Sequence, residues 1–272
     1  MPVFGSSVHW ICAIGLASPL VLTAQTSLQL PTNAPLTQQR SALSGNAFLS
    51  PDLLALQNDA SRNPTQLWVA QGQEIWGSPE KKGACFECHN TPNQLKNSAP
   101  QFPKWSVERQ QLINLEDQIL SCAQRTGQPF KGLEDPNVLA LSALLHQASQ
   151  GQVIAVKPTP GYEAQWQAAL NEGAKEFTTR LGRMNLACTH CHDQNIGKQM
   201  RADIISPGHP TGFPIFKMSW QSMGSIDRRL RACYSGVQAQ VPTPSSPVLR
   251  QLELFLKMRA QGMPIDGPSL RR

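Results

Sequence analysis

The chain has few aromatic residues, few charged residues and no cluster of basic side chains. Aromatic residues make up 6% and charged residues 15% of its 272 positions. The formal net charge is +6, yet the lysines and arginines form no run, so a nucleic-acid partner is not expected. A small anion or an acidic partner protein suits such a charge better. The 22 prolines favour loops between helices over extensive sheet.

Long apolar runs are also absent beyond the N-terminal segment. Residues 1–24 contain no charged group, and residues 11–22 have the length and apolar character of a signal-peptide core. We therefore expect residues 1–24 to be a signal peptide, the mature chain to have no membrane span, and the protein to be periplasmic. The alternative is an uncleaved membrane anchor, which needs roughly 18 apolar residues. Residues 25–64 are expected to form an extended N-terminal arm.

Two copies of a short cysteine motif, C-x-x-C-H, stand out in this otherwise plain composition. The copies consist of Cys85, Cys88 and His89, and of Cys188, Cys191 and His192. This pattern is typical of c-type haem attachment, in which two thiols bind the porphyrin and the histidine binds the iron. Zinc is the alternative for closely spaced cysteines. A histidine directly after both pairs favours haem, so the sequence predicts two covalently bound haem c groups.

Each motif is followed by one lone cysteine, Cys122 or Cys233. Both lie nineteen residues after the proline of a Phe-Pro pair, at Pro103 and Pro214. We expect each thiolate to be the second axial ligand of its haem, in the position where electron carriers commonly have methionine or histidine. A disulfide between the two cysteines is an alternative. Alternative ligands in the second half are Met200, Met218, Met223 and His209.

The matching spacing extends to other residues and indicates an internal duplication. The matched pairs within this frame are Gln110 with Gln221, Leu112 with Met223, Leu115 with Ile226, Glu116 with Asp227, and Ile119 with Leu230. The interval from motif histidine to lone cysteine is 33 residues in one half and 41 in the other, which predicts an inserted loop after His192. The predicted fold is mainly α, with two tandem cytochrome c-like domains, 65–157 and 158–272, and long irregular loops.

Apolar spacing predicts the helices of each half. We expect helices at 106–124 and 134–149 in the first half, and at 162–181, 218–233 and 246–262 in the second. Each haem motif is expected to end a helix. His146, His190 and His209 are expected to be surface or packing residues.

The two halves differ beside their lone cysteines. Arg229 lies four residues before Cys233, on the same helical face, whereas Gln118 is the matching residue before Cys122. Guanidinium groups bind oxyanions through paired hydrogen bonds. The second haem site is therefore predicted to be catalytic, and the first structural or a remnant. For Arg228 and Arg231, a solvated helix face or contact with haem propionates is the alternative.

The segment from Trp220 to Cys233, the haem motif before it and the terminal residues 268–272 closely resemble the SoxA family. SoxA is the larger cytochrome c subunit of the SoxAX complex of bacterial thiosulfate oxidation. The resemblance implies a periplasmic heterodimer with SoxX that acts as an L-cysteine S-thiosulfotransferase. By this resemblance, the complex would join thiosulfate to a cysteine of the carrier SoxY, in SoxYZ, and pass electrons to SoxX and a downstream cytochrome c. The resemblance also implies that Cys233 is the catalytic cysteine persulfide and that Arg229 binds the sulfur anion.

Two other functions fit the same motifs. A dihaem electron-transfer cytochrome would use the cysteines to set the haem potential and would catalyse no sulfur transfer. A cysteine-ligated sensor protein is the third interpretation, and it is disfavoured because no signalling domain is recognisable in the chain.

Overall fold

Helices provide most of the regular structure in the computed structural model, which describes residues 1–2, 42–77 and 84–272. The predicted signal peptide and residues 25–41 of the predicted arm lie outside the described residues, apart from Met1 and Pro2. The prediction of a mainly α fold is confirmed for the part described. No helix in that part is long and apolar enough to cross a membrane.

The first half contains five helices and one hairpin among its described residues. In chain order they are α1 (Pro51–Asn58), α2 (Thr65–Trp76), α3 (Phe86–His89), β1 (Lys104–Ser106), β2 (Gln111–Ile113), α4 (Leu115–Arg125) and α5 (Pro136–Ala148). Helix α1 begins at a good N-terminal signal, because the Ser50 side chain accepts a hydrogen bond from the Leu53 amide and Pro51 follows it. The predicted extended arm, 25–64, is therefore wrong over this helix and over the 3-10 turn Gly45–Phe48.

The second half repeats the elements of the first from α2 onward in the same order, adds a hairpin and a final strand, and has no counterpart of α1 among its described residues. Its elements are α6 (Glu163–Thr178), α7 (Cys188–His192), β3 (Gln199–Met200), β4 (Asp203–Ile204), β5 (Ile215–Lys217), β6 (Ser222–Gly224), α8 (Ile226–Gly236), α9 (Pro247–Arg259) and β7 (Ser269–Arg271). The small β3–β4 hairpin lies in the loop predicted to be inserted after His192. Strand β5 pairs antiparallel with β6 and parallel with β7.

The helices predicted at 106–124 and 218–233 are shorter than expected. Strand pairs β1–β2 and β5–β6 occupy the first part of each segment, and the helices begin only at Leu115 and Ile226. Two matched residues explain the break, since Gln110 has φ 52° and Gln221 has φ 50°, a left-handed conformation that helices do not continue through. The following residues Asn114 and Ser225 then start the helices by accepting backbone hydrogen bonds.

The remaining predicted helices form within a few residues of their expected bounds. The haem motifs, however, do not end the preceding helices, because α3 and α7 are separate short helices. Each half packs its first long helix against its last one, α2 on α5 and α6 on α9. Both contacts need a glycine: a Cβ on Gly72 would lie 2.3 Å from the Ala140 carbonyl oxygen, and one on Gly173 would lie 2.1 Å from that of Gln251.

The described residues from 42 onward form one compact unit, and a buried ionic cluster joins its two halves. The Arg250 side chain on α9 donates to Asp117 on α4 at 2.6 Å and to Asp227 on α8 at 3.2 Å, and lies 3.6 Å from Glu253. All four of these side chains are nearly inaccessible to solvent. A boundary between the predicted domains at 157 and 158 stays a prediction.

Candidate functional site

The second haem motif lies on α7, where its histidine is oriented by the backbone. The Nδ1 atom of His192 donates to the Ser206 carbonyl oxygen over 2.7 Å. Nearby Gly208 has φ +78°, and a Cβ there would lie 3.0 Å from Nδ1, so glycine allows this close approach. Burial lowers the pKa of His192, which favours the neutral ring. With Nδ1 occupied, the Nε2 lone pair is left for a metal, as in metal-binding histidines generally.

The first haem motif lies on α3 and packs against the end of α2. The Trp76 ring lies 6.0 Å from the His89 ring, and its Nε1 donates to the Asn90 carbonyl oxygen at 2.9 Å. Cys88 is exposed and Cys85 is half-buried. This side of the protein therefore presents one motif thiol to solvent and holds the other against the core.

Each lone cysteine lies close to the haem motif of its own half. Repulsion from Cys122 adds to burial in raising the pKa of Cys85. Burial, with repulsion from Cys233 as the next cause, raises the pKa of Cys188 to about 12. Among the described cysteines all are free thiols, so the alternative of a disulfide between Cys122 and Cys233 is not observed.

The alternative iron ligands in the second half are differently placed. Met223 is fully buried in a hydrophobic cluster with Phe216 and Leu270. Met200 and Met218 are exposed, at 50% and 36%. His209 is buried beside the Pro210–Gly212 turn. Of the other two histidines, His146 is buried beside the Ser142 carbonyl oxygen, and His190 accepts from the Ala187 amide at the start of α7.

The three arginines before Cys233 have different surroundings. Arg228 donates to Ser222 Oγ at 3.0 Å and stacks over the Trp220 ring at 4.2 Å. Arg231 donates to the Pro242 carbonyl oxygen at 3.0 Å. Arg229 has no hydrogen bond or ion pair from its side chain to any described residue. Of the three guanidinium groups, only that of Arg229 has no hydrogen bond to a described residue, so all of its donors are open to an external anion.

The neighbourhood of Arg229 is strongly basic. Lys217 on β5 and Arg271 on β7 are opposite each other in the parallel strand register. Burial lowers the pKa of Lys217, attraction to Asp203 at 3.9 Å partly offsets this, and repulsion from Arg229 and Arg271 adds to the lowering. The same repulsion contributes to a pKa of about 10 for Arg271, whose main cause is burial. Their mutual repulsion would be relieved by a bound anion.

The surroundings of Cys122 include a contact that sequence reasoning missed. Gln118 Nε2 and Arg125 Nη2 each lie 3.4 Å from the Cys122 sulfur and donate to it. Arg125 lies three residues after Cys122, a spacing that also shares a helical face, and Gly236 is its match after Cys233. The three-residue spacing between Cys122 and Arg125 is therefore the sequence feature that predicts this contact.

The donor set in each half fits a covalently attached haem. Two thiols one helical turn apart, an adjoining histidine and a further thiol at close range are the groups that such a cofactor uses. In the second half the free Nε2 of His192 supports the same fit. No group of three or more acidic, histidine or cysteine residues suited to a metal ion occurs among the described residues, so a zinc cluster finds no support. Fold and site together define a c-type cytochrome.

Comparison with known proteins narrows this class. Residues 71–154 match the protein family described as SoxA/TsdA, cytochrome c domain. The L-cysteine S-thiosulfotransferase subunit SoxA of Pseudaminobacter salicylatoxidans is 31% identical over 235 residues, which are 85% of this chain and 81% of that protein. The same subunit from Rhodovulum sulfidophilum is 27% identical over 94% of this chain and 91% of its own length. The chain belongs to the SoxA family.

A solved structure agrees with this assignment. The crystal structure of SoxXA from P. pantotrophus is similar with a TM-score of 0.75 and 26% sequence identity. The match covers 84% of this chain and 86% of the solved chain. The cytochrome c fold predicted from the two motifs is therefore confirmed, and the protein is a c-type cytochrome that binds haem covalently.

Proposed function

We propose that this chain is the dihaem, catalytic subunit of a periplasmic thiosulfate-oxidising complex. It would join thiosulfate to a cysteine thiol of a SoxY-type carrier, with a SoxX-type cytochrome c as the other subunit. The proposal rests on Arg229, whose side chain has no partner among the described residues and lies one helical turn before Cys233. Arg228 and Arg231, by contrast, are held by other groups.

The reaction balances as an oxidation by two electrons. The carrier thiol and thiosulfate form an S–S bond and give a cysteine S-thiosulfonate, one proton and two electrons. A covalently attached haem would supply the outlet for those electrons, with the SoxX-type subunit and a downstream cytochrome c as the proposed acceptors. Cysteines 85 and 88 would attach the first haem and Cys188 and Cys191 the second.

The residues of the second half have separable roles in this proposal. The bond from Nδ1 of His192 to the Ser206 carbonyl orients the ring, and Nε2 would bind the iron of a haem attached here. Cys233 would ligate the opposite face and carry the sulfur as a persulfide. Arg229 would bind the sulfonate end of thiosulfate by a charge-assisted hydrogen bond. The positive charges of Lys217 and Arg271, which Asp203 and Asp266 balance in part, would favour a dianion over a neutral thiol compound.

In the first half, His89 and Cys122 would be the two axial ligands. The duplicated element order supports a haem in both halves, each in its own domain, 65–157 and 158–272. The proposed number of haems has a direct test, because the intact mass of the purified chain should exceed that of its mature polypeptide by two haem groups. A mass increase of one haem would remove the dihaem part of the proposal.

The catalytic proposal is tested by Arg229→Gln, which gives the second site the residue found at the matching position of the first. A lost charge-assisted hydrogen bond costs about 1.5–3 kcal/mol, so kcat/KM for thiosulfate conjugation should fall roughly 10- to 150-fold. The haem absorption spectrum should not change. Arg231→Gln removes the same charge from a group held by Pro242 and should alter the rate less than about threefold.

The alternative function predicts a different outcome. In an electron-transfer cytochrome without sulfur chemistry, Arg229→Gln and Arg231→Gln would have equal and small effects on thiosulfate-dependent turnover. Cys233→Met gives a second test, because methionine still offers a sulfur ligand but forms no persulfide. Full conjugation activity in that variant would refute the catalytic role of Cys233.

A further inference from the structure

The sulfurs of the two lone cysteines differ in their hydrogen bonding. Cys122 accepts two hydrogen bonds, from Gln118 and Arg125, each over 3.4 Å. Cys233 accepts none from the described residues, although its position in the repeat is the same. The sequence difference is the reverse: four residues before the cysteine, only the second half has an arginine. The hydrogen bonds to sulfur are found only in the first half.

The two donors around Cys122 are held by different means. Gln118 is half-buried on α4, one turn before the cysteine. Arg125 is 60% exposed and has Glu108 as an ion-pair partner at 3.8 Å. That ion pair is exposed and longer than a hydrogen bond, so it competes weakly with the contact to the sulfur. The guanidinium therefore remains able to donate to Cys122.

Donors to an axial thiolate alter the haem that it ligates. Hydrogen bonds withdraw electron density from the sulfur, so the sulfur stabilises ferric iron less. A positive charge close to the ligand acts in the same direction, because reduction lowers the positive charge on the iron. Lone pairs engaged by donors are also less available for bond formation with another sulfur. Both effects favour electron transfer over sulfur chemistry.

We propose that Gln118 and Arg125 are positioning residues that raise the midpoint potential of haem 1, the haem of the first motif, by donating hydrogen bonds to Cys122. Haem 1 is then the more easily reduced haem of the chain. Haem 1 would thus accept electrons, while the sulfur of Cys233 is left free to react. The inference rests on the proposed ligation of haem 1 by Cys122. It replaces the interpretation of the first site as structural or a remnant.

The test is a potentiometric titration of the purified holoprotein, followed by haem absorption and fitted with two one-electron components. Arg125→Ala and Gln118→Leu should each lower the midpoint potential of the same single haem and leave the other unchanged. Arg125→Lys should restore most of the Arg125→Ala shift, since lysine keeps the charge and a donor.

Arg109→Ala is the matched control. Arg109 donates to Ser121, the neighbour of Cys122, so its removal takes the same charge from the same surface without touching the sulfur. The control should leave both potentials close to those of the wild type. Equal shifts in the Arg109 and Arg125 variants, or no shift in either, would overturn the proposal.

Electron paramagnetic resonance of the oxidised wild type separates this inference from the ligation on which it depends. Two thiolate-ligated low-spin signals are expected, and Arg125→Ala should move the signal of one of them. A spectrum with a single thiolate-ligated haem would overturn the ligand assignment of Cys122, and the tuning with it. Two such signals combined with unchanged potentials would overturn the tuning alone.

Discussion

Substitution of Gly173 by alanine would test how closely the two long helices of the second half pack. The added Cβ would lie 2.1 Å from the carbonyl oxygen of Gln251, where ordinary van der Waals contact begins at 3.4 Å, a shortfall of 1.3 Å. The obstructing atom belongs to the backbone of α9, so no side chain can rotate away. Helices α6 and α9 would have to separate by about that distance.

Two opposing contributions set the change in the free energy of unfolding caused by Gly173→Ala. Alanine in place of glycine within a helix stabilises it by about 1 kcal/mol. Overpacking costs roughly 1–3 kcal/mol, and a backbone obstacle places this contact at the upper end of that range. The net loss is about 2 kcal/mol, which corresponds to a fall in Tm of roughly 4–8 °C for a protein of this size.

The assay is thermal unfolding of the holoprotein followed by far-ultraviolet circular dichroism. Gly72→Ala should have an effect of the same sign, because its Cβ would lie 2.3 Å from the Ala140 carbonyl oxygen in the matching helix pair. Gly236→Ala is the control, since no atom lies within 4 Å of a Cβ at that position. If Gly173→Ala melted at or above the wild-type temperature, the described crossing of α6 and α9 would be wrong.

Two further predictions concern the buried ionic cluster. Burial raises the pKa of Glu253 from 4.5 to about 8, so the folded state binds more protons than the unfolded state between these values. The contribution of Glu253 to stability therefore falls as pH rises from about 4.5 to 8. Glu253→Gln should flatten the pH dependence of the urea unfolding midpoint across that window. An unchanged slope of midpoint against pH would contradict this. Arg250→Met should destabilise the protein by about 3–5 kcal/mol at pH 7, because it leaves buried carboxylates uncompensated. Urea unfolding measures the loss, and Arg62→Met, at an exposed position, should change stability by less than about 1 kcal/mol.

Much of the fold was predictable because the haem motifs and the repeat are local patterns. The motifs fix the position of α3 and α7, and the glycine shared by α2 and α6 follows from a close helix crossing in both halves. The hairpins were not predictable from apolar spacing. Leu112 and Ile113 in a short strand produce the same local pattern as a helical stripe, and the left-handed residue Gln110 that separates strand from helix is not a glycine.

The candidate site was predictable only where the partners are near in sequence. Arg229 and Cys233 are four residues apart, so one helical turn relates them. Arg125 and Cys122 are three residues apart and also share a helical face, but here the arginine follows the cysteine. The contacts of Arg228 with Trp220 and of Arg231 with Pro242 depend on loop conformation, which no periodic pattern specifies. The sequence separates Arg229 from the other two arginines only by its spacing from Cys233, and these contacts add that Arg228 and Arg231 have partners.

The buried cluster explains how a duplicated frame can hold two dissimilar sites. The two halves meet through Arg250, whose matching residue in α5 is the apolar Leu139. Its partners Asp117 and Asp227 lie on the helices that carry Cys122 and Cys233, so one side chain connects both cysteine helices. A fixed relation between α4 and α8 leaves the outward faces of these helices free to diverge. One face carries donors to its sulfur, and the other an arginine that is unpartnered among the described residues, over the same interior.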